Sequence, residues 1–123
     1  MNNYKVLLIE DDAAITEMYQ TRFEEAGIKL VAANDGEAGL EAVKKELPMV
    51  ILLDIMMPRM DGFAVLSSLK KDKVTKDIPV FMLSNLGQKA DIEKGKKLGA
   101  NDYIVKASMT PTQVINKIKP YLK

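Results

Sequence analysis

Short runs of apolar residues alternate along this chain with longer stretches in which apolar residues recur every three or four positions. A run of four or five apolar residues is typical of a strand buried on both faces of a parallel sheet, and the longer spacing is typical of a helix that buries one face. The apolar runs predict five strands, at residues 5–9, 28–32, 49–53, 78–83 and 102–105. Because a helical stretch follows every strand, the pattern predicts a three-layer α/β domain with helices on both faces of the sheet.

Helix boundaries are indicated by capping residues and glycines. Helices are predicted at residues 14–26 and 88–98, because Gly27 and Gly99 follow them directly. Capping signals open three other helices: Asn34-Asp35-Gly36-Glu37 the second, Asp61-Gly62 the third and Thr110-Pro111-Thr112-Gln113 the last.

Four of these helices are expected to bury an apolar face. The residues are Ile15, Met18, Tyr19, Phe23 and Ala26 in the first helix, Leu40, Val43 and Leu47 in the second, Phe63, Leu66 and Leu69 in the third, and Val114, Ile118 and Tyr121 or Leu122 in the last. The fourth helix differs, because Lys94-Gly95-Lys96-Lys97 places a glycine among charges and leaves few apolar anchors. Weak anchoring makes this helix a candidate mobile element.

Two of the apolar runs end in acidic residues. Glu10, Asp11 and Asp12 follow the first strand, and Asp54 follows the third. In the doubly wound strand order 2-1-3-4-5, strands 1 and 3 are neighbours, and ligands bind outside their carboxyl ends. Glu10, Asp11 and Asp54 are therefore expected to meet at one edge of the sheet. Close carboxylates repel by roughly 3 kcal/mol per pair at an effective dielectric of 20, so the cluster predicts a bound cation.

Each of these acids has a structural as well as a functional interpretation. Asp54 is also compatible with the start of a turn, and the three acids after strand 1 with a helix cap, where the helix dipole favours negative charge. Asp12 is assigned to that cap alone. In the functional interpretation Asp54 is a nucleophilic carboxylate that takes a phosphoryl group, and Mg²⁺ is bound directly by Asp11 and through water by Glu10.

Composition limits the chemistry further. The 123 residues, 47% hydrophobic and 28% charged, are expected to form one domain spanning residues 1–123. With neither Cys nor His, the chain lacks disulfides, thiolate nucleophiles, imidazole catalysis and metals held by those side chains. The net charge of +1 gives no reason to expect nucleic acid or a membrane as a partner. Without a long apolar run or a signal peptide, the chain is expected to be cytoplasmic.

Over its whole length the chain resembles a response-regulator receiver domain of the single-domain chemotaxis type. The matching residues are Glu10-Asp11, Asp54, Met57-Pro58-Arg59-Met60-Asp61-Gly62, Ser84, Tyr103 and Lys106. The resemblance implies a flavodoxin-like (βα)5 fold in which Asp54 is the phosphoryl acceptor. It also implies that Asp11, Asp54 and the backbone carbonyl of Met56 hold Mg²⁺, with Glu10 completing the metal site.

The resemblance gives roles to three residues whose types alone indicate none. Lys106 would otherwise be a surface lysine, Ser84 a turn residue and Tyr103 a core aromatic. By resemblance, Lys106 balances charge at the site, and the Ser84 hydroxyl bonds a phosphoryl oxygen. An inward shift of Ser84 then lets Tyr103 turn from an exposed to a buried rotamer. The surface formed by helix 4, strand 5 and helix 5 would change with phosphorylation and control partner binding.

Partners are expected on both sides of such a switch. A histidine kinase or a phosphotransfer protein would supply the phosphoryl group, and an unidentified downstream protein or output domain would respond to it. We expect a monomer, with phosphorylation-dependent dimerisation through helices 4 and 5 as an alternative. Because the chain would catalyse only its own phosphorylation and dephosphorylation, it is not classed as an enzyme.

The chain departs from the commonest family pattern around the site. Ala107 follows Lys106 where receivers usually carry a proline after a cis bond; a non-proline cis bond costs about 3 kcal/mol, so a trans bond is expected. Asn85 is larger than the usual small residue after Ser84, which bears on how open the site is to phosphodonors. Met56 and Leu86 are apolar where other members often have groups that orient water, which predicts slow hydrolysis.

Other classes of protein share part of this pattern. A magnesium-dependent phosphatase typically has an acid two residues after its nucleophilic aspartate, and here that residue is Met56. A receiver-like module that never takes phosphate does not need the full set of acids, serine and lysine. A flavodoxin-type cofactor carrier needs backbone donors where Glu10 and Asp11 stand. A colourless protein that gains phosphoryl mass with acetyl phosphate and magnesium separates these classes.

Overall fold

Five strands and five helices alternate along the chain in a computed structural model that describes residues 3–85 and 89–122. The strands are β1 (Lys5–Ile9), β2 (Lys29–Ala33), β3 (Val50–Asp54), β4 (Val80–Ser84) and β5 (Asp102–Val105). The helices are α1 (Ala13–Glu25), α2 (Gly36–Glu46), α3 (Gly62–Lys71), α4 (Lys89–Lys97) and α5 (Pro111–Ile118), and a 3-10 turn (Lys119–Tyr121) follows α5.

All strand pairs are parallel, and the sheet order is β2-β1-β3-β4-β5. This confirms the predicted three-layer, doubly wound architecture. The winding reverses between β1 and β3, which are hydrogen-bonded neighbours, so the carboxyl ends of these two strands lie side by side.

The core consists of two apolar clusters, one on each face of the sheet. In β1, Leu7 and Ile9 join the cluster under α2 and α3, while Val6 and Leu8 join the cluster under α1 and α5. A one-residue slip of this strand would move Lys5 or Glu10 into a buried apolar position, so the charged residues that flank the apolar run favour the observed register. Register in turn fixes which residue of each strand reaches the functional edge of the sheet.

Strand boundaries differ slightly from those predicted. β4 begins at Val80 rather than residue 78, because the Ile78 N–H donates to the Thr75 carbonyl in a turn and Pro79 has no N–H. β2 begins at Lys29, because the Ile28 N–H is used by the carbonyl of Phe23 at the end of α1. β3 and β4 extend one residue further than predicted, to Asp54 and Ser84.

Several residues predicted to be buried are exposed. Met18 is 49% exposed, because the buried stripe of α1 is limited to Tyr19 and Phe23, and Ala26 is exposed beyond the end of the helix. Leu47 is 57% exposed because it caps α2 in the left-handed conformation (φ 44°), which turns the chain off the helical path. At the end of the chain Leu122 is buried and Tyr121 is 38% exposed.

The capping predictions are confirmed. Asp35 and Asp61 accept hydrogen bonds from Ala38 and Ala64, and Thr110 forms a complete capping box with Gln113. Asp12 caps α1 through the backbone N–H groups two and three residues on. Helix α4 is described from Lys89, so its predicted start at Gln88 lies outside the described residues.

Helix α4 has few apolar anchors, as predicted. Its buried residue is Gly95, where a Cβ would come within 3.3 Å of the Met82 side chain. Among the described residues there is no cis peptide bond, so the Lys106–Ala107 bond is trans, as expected. Within the same residues, no helix combines the length and the apolar character that crossing a bilayer requires.

Candidate functional site

The acids predicted from the strand ends converge at the edge of the sheet. Asp54 is the last residue of β3, and Glu10 follows β1 one position beyond the Ile9–Leu53 pair, so the two lie side by side. Glu10 is 1% exposed and Asp54 is 3% exposed, whereas Asp11 is open to solvent. Glu10, Asp11 and Asp54 each offer one carboxylate oxygen, and these oxygens lie within 4.8 Å of one another.

The local backbone explains how the charged side chain of Glu10 becomes buried here. The Glu10 N–H extends the sheet by donating to the carbonyl of Ala33. The Asp12 N–H then donates to the Glu10 carboxylate at 3.2 Å, while the Asp12 side chain starts α1. The turn between β1 and α1 thus holds Glu10 inward and leaves Asp11 facing solvent.

Gly62 is the first residue of α3, and because it has no side chain it lies directly against the end of β3. A Cβ at this position would lie 2.3 Å from the carbonyl oxygen of Asp54, and the Gly62 N–H donates to the carbonyl of Ile55 at 2.9 Å. From the sequence, Asp61-Gly62 was interpreted as a helix start and as part of the segment that matches the receiver family, without a structural role for the glycine. The signal that was missed is that a glycine directly after the cap permits a close approach of two backbones.

Lys106 joins the two buried acids. Its ammonium nitrogen lies 3.1 Å from the nearer Asp54 oxygen and also donates a hydrogen bond to Glu10. The Lys106 backbone N–H donates to the carbonyl of Ser84 at 2.7 Å, which fixes the lysine at the end of β5. Its side chain is only 10% exposed, so this ion-pair network is largely shielded from water.

Burial shapes the protonation of this network. Desolvation raises the pKa of Glu10 to about 7, against the opposing effect of the Lys106 hydrogen bond and with a further increase from neighbouring Asp54. For Lys106, burial alone would lower the pKa, but the hydrogen bond with Glu10 and the charges of Asp54 and Glu10 raise it. Lys106 is therefore charged, and Glu10 carries a higher proton affinity than an ordinary glutamate.

The donor set fits a hard divalent cation. With all three acids ionised the cluster carries three negative charges, of which Lys106 balances one. Carboxylate oxygens without Cys or His are ligands suited to Mg²⁺, Ca²⁺ or Mn²⁺. A cation would relieve the repulsion between the carboxylates, which is about 3 kcal/mol per close pair at an effective dielectric of 20.

Ser84 and Tyr103 meet beside this cluster. Ser84 ends β4 one position beyond Leu83, the partner of Asp54 in the sheet, and is 5% exposed. Tyr103 is 9% exposed, in the buried orientation. Burial raises the pKa of the Tyr103 hydroxyl, a hydrogen bond with the Ser84 side chain lowers it, and the charge of Asp91 on α4 raises it. The two predicted switch residues are thus hydrogen-bonded to each other, and Tyr103 lies within the electrostatic influence of Asp91 on α4.

Two further residues that the sequence singled out near the site are exposed. The Met56 side chain is 72% exposed, and Asn85 is exposed at the end of β4, whereas Leu86 lies outside the described residues.

Sequence reasoning assigned Tyr19 only to the core. Its hydroxyl is buried, without a hydrogen-bond partner among the described residues, and burial followed by the charge of Glu10 raises its pKa to about 12.

Comparison with known proteins agrees with this geometry. Residues 6–119 match the model of the response regulator receiver domain. The chain is 40% identical to the probable transcriptional regulator ycf27 of Guillardia theta over 97% of its own length and 45% of that protein. It spans about half the length of the curated relatives it matches.

Solved structures give the same result. The chemotaxis protein CheY4 of Vibrio cholerae superposes with a TM-score of 0.90 at 28% identity, covering 98% of this chain and 99% of that one. The Mn²⁺-bound form of response regulator Rcp1 superposes with a TM-score of 0.84 at 26% identity, covering 98% and 95%. The fold, the convergence of acids and lysine at the ends of β1, β3 and β5, and the match over residues 6–119 establish that this chain belongs to the response regulator receiver domain family of two-component signalling.

Proposed function

We propose that Asp54 accepts a phosphoryl group and that its phosphorylation changes which partner the protein binds. The observation that carries this proposal is the buried arrangement of Asp54 between Lys106 and Glu10, with Asp11 close by at the solvent side. A carboxylate held in this way has a charge partner ready for an incoming anion. Family membership supports the phosphorylation-dependent signalling, and the residue roles are our assignment.

The transfer requires a nucleophile and charge neutralisation. An Asp54 oxygen attacks the phosphorus of a phosphohistidine, a P–O bond forms, and the P–N bond breaks. The leaving imidazole keeps the bonding electron pair and takes a proton from solvent. Lys106 and the Ser84 hydroxyl face the new phosphoryl oxygens and stabilise the charge that spreads over them in the transition state.

Glu10, Asp11 and Asp54 would hold a divalent cation, and we propose Mg²⁺ with the Met56 carbonyl as a further ligand. When bound, such a cation neutralises charge on the phosphoryl oxygens. The oxygen-only donor set supports this assignment, and so does the Mn²⁺-bound form of the similar response regulator Rcp1. Asp11 is exposed and able to bind the ion directly, whereas buried Glu10 is already engaged with Lys106.

The donor would be a histidine kinase or a phosphotransfer protein, and the response would appear on the surface formed by α4, β5 and α5. Two interactions support this route from the site to the surface. Ser84 is hydrogen-bonded to Tyr103, and the charge of Asp91 on α4 acts on the Tyr103 hydroxyl. The downstream partner is a protein or an output domain. Several relatives are called transcriptional regulators, and one is described as DNA-binding. We expect this chain to influence such an output without touching nucleic acid itself.

The chain would catalyse only its own phosphorylation and dephosphorylation and would turn over no separate substrate. Met56 occupies the position at which an aspartate-dependent phosphatase carries its acid. Hydrolysis of phosphate esters by catalytic amounts of protein would contradict this assignment.

Labelling with a small phosphodonor tests the proposal. Acetyl phosphate or phosphoramidate with Mg²⁺ should add one phosphoryl mass to the protein and none to Asp54→Asn. Asp61→Asn is the matched control, because Asp61 is an exposed helix cap whose function asparagine can perform, and it should label normally. Label on Asp54→Asn, or no label from either donor, would contradict the proposal.

A further inference from the structure

Met56 is the most exposed methionine that the structure describes. Its side chain is 72% exposed, compared with 49% for Met18, 8% for Met57 and 0% for Met82. A water-borne oxidant reaches an exposed thioether more readily than a buried one. Among the methionines that the structure describes, Met56 is therefore the one that a dissolved oxidant reaches most readily.

Met56 also lies at the mouth of the acidic site. It follows Asp54 by two residues, and between them the Ile55 N–H donates to the carbonyl of Leu83 at 3.0 Å. β3 ends at Asp54 and the chain bends at Ile55, so Met56 lies just past the end of the strand that carries Asp54. Asp54 is 3% exposed and Met56 is 72% exposed, so an exposed thioether follows the buried carboxylate within two residues.

We propose that Met56 is a redox-modification site: a hydroperoxide converts its thioether to a sulfoxide, and the sulfoxide shortens the lifetime of the phosphoryl group on Asp54. This inference rests on the proposed function, because it requires Asp54 to be phosphorylated. The protein would then read two inputs at one site, phosphorylation at Asp54 and oxidation at Met56.

The oxidation is a two-electron oxygen transfer. A lone pair on the Met56 sulfur attacks the terminal oxygen of the hydroperoxide, the O–O bond breaks, an S–O bond forms, and the proton on the transferred oxygen moves through solvent to the leaving oxygen. Sulfur is oxidised by two electrons, and the peroxide is reduced to water or to an alcohol. The product is a polar, chiral side chain of nearly unchanged length, and sulfoxide reductases restore the thioether.

The effect on hydrolysis follows from hydrogen bonding. Loss of the phosphoryl group requires a water molecule that attacks phosphorus in line with the bond to Asp54. The Met56 thioether is a weak acceptor for that water, so loss is slow in the reduced protein. A sulfoxide oxygen is a strong acceptor at the same place and holds the water for attack. We expect loss about tenfold faster, less than a dedicated general base gives, because the sulfoxide does not take the proton.

The test compares phosphoryl lifetimes before and after hydrogen peroxide treatment. Peptide mass mapping should find sulfoxide at Met56 before Met57 or Met82. After labelling with acetyl phosphate and Mg²⁺, the oxidised wild type should lose phosphoryl mass about tenfold faster than the untreated protein. Met56→Gln, with an amide oxygen in place of the sulfoxide, should lose it at a similarly increased rate without peroxide.

Two leucine variants locate the effect. Met56→Leu cannot be oxidised at this position and should show the same half-life before and after treatment. Met18→Leu is the matched control, since it removes the other exposed thioether of the described residues and should keep the full response to peroxide. An unoxidised Met56, an unchanged half-life after its oxidation, or acceleration in Met56→Leu would overturn the inference while leaving the proposed function intact. Absence of any label in the untreated wild type would overturn both.

Discussion

The buried hydroxyl of Tyr19 destabilises the folded protein. It is 2% exposed, lies within the electrostatic influence of Glu10 and has no hydrogen-bond partner among the described residues. Leaving a buried polar group unsatisfied costs about 1–3 kcal/mol. Removing the oxygen while keeping the ring should therefore stabilise the fold.

We predict that Tyr19→Phe raises the free energy of unfolding by about 1 kcal/mol, measured by urea denaturation. The ring stacking on Phe23, at 6.0 Å between centroids, would be retained. Tyr121→Phe, at a residue 38% exposed, is the control and should change stability by less than about 0.5 kcal/mol. A destabilised Tyr19→Phe protein would show that the Tyr19 hydroxyl makes a stabilising hydrogen bond in the folded protein.

Glu10 should make stability depend on pH in a direction unusual for a carboxylate. Its pKa rises from 4.5 to about 7 on folding, so the folded protein binds more protons than the unfolded chain between these values. The contribution of Glu10 to stability is then complete below pH 4.5 and is lost as the pH rises through 7. Glu10→Gln has no such titration.

We predict that, in a chelator, the stability of wild type minus that of Glu10→Gln decreases as the pH rises from 4.5 to 7. Thermal or urea denaturation at a series of pH values measures this difference. A difference that stays constant or increases across this range would mean that Lys106 keeps Glu10 ionised throughout.

Among the secondary-structure elements, α2 ends in a backbone conformation that is unfavourable for its capping residue, Leu47. Leu47 adopts φ 44° and is 57% exposed, although this left-handed conformation costs non-glycine residues roughly 1–2 kcal/mol. Glycine is the residue most often found in this conformation where helices end. The leucine side chain gains little burial in return.

We predict that Leu47→Gly stabilises the protein by about 1 kcal/mol, measured as an increase in the melting temperature. Leu47→Ala is the matched control, because it removes the same exposed side chain but keeps the backbone strain, and it should give no increase. Equal effects of the two substitutions would show that the conformation of Leu47 is not strained.

Element positions were largely predictable because each signal is local. The apolar runs, the capping aspartates and the capping box at Thr110 act within a few residues, and the structure confirms them. The errors arose where geometry depends on the end of an element. Leu47 leaves the helical periodicity by adopting φ 44°, and Ile78 is held in a turn by Thr75 instead of entering β4.

At the scale of the molecule, the site depends on contacts that no local pattern contains. Glu10 and Lys106 are 96 residues apart in sequence and become hydrogen-bonded because β1 and β5 end at the same edge of the sheet. Sequence reasoning placed the acids there from strand order, and it distinguished Lys106 from a surface lysine only by its place after strand 5. The Glu10–Lys106 hydrogen bond, the unsatisfied Tyr19 hydroxyl and the proximity of Gly62 to Asp54 required three-dimensional side-chain and backbone geometry.

We propose that a cation held by Glu10, Asp11 and Asp54 prepares Asp54 for phosphorylation. The most direct measurement is the rate of phosphoryl incorporation at residue 54, by peptide mass mapping with acetyl phosphate, as a function of Mg²⁺ concentration. We predict no incorporation in a chelator, a rate that saturates with Mg²⁺, and a weaker apparent affinity for Mg²⁺ in Asp11→Asn. Incorporation at a rate independent of Mg²⁺, or at a residue other than Asp54, would contradict it.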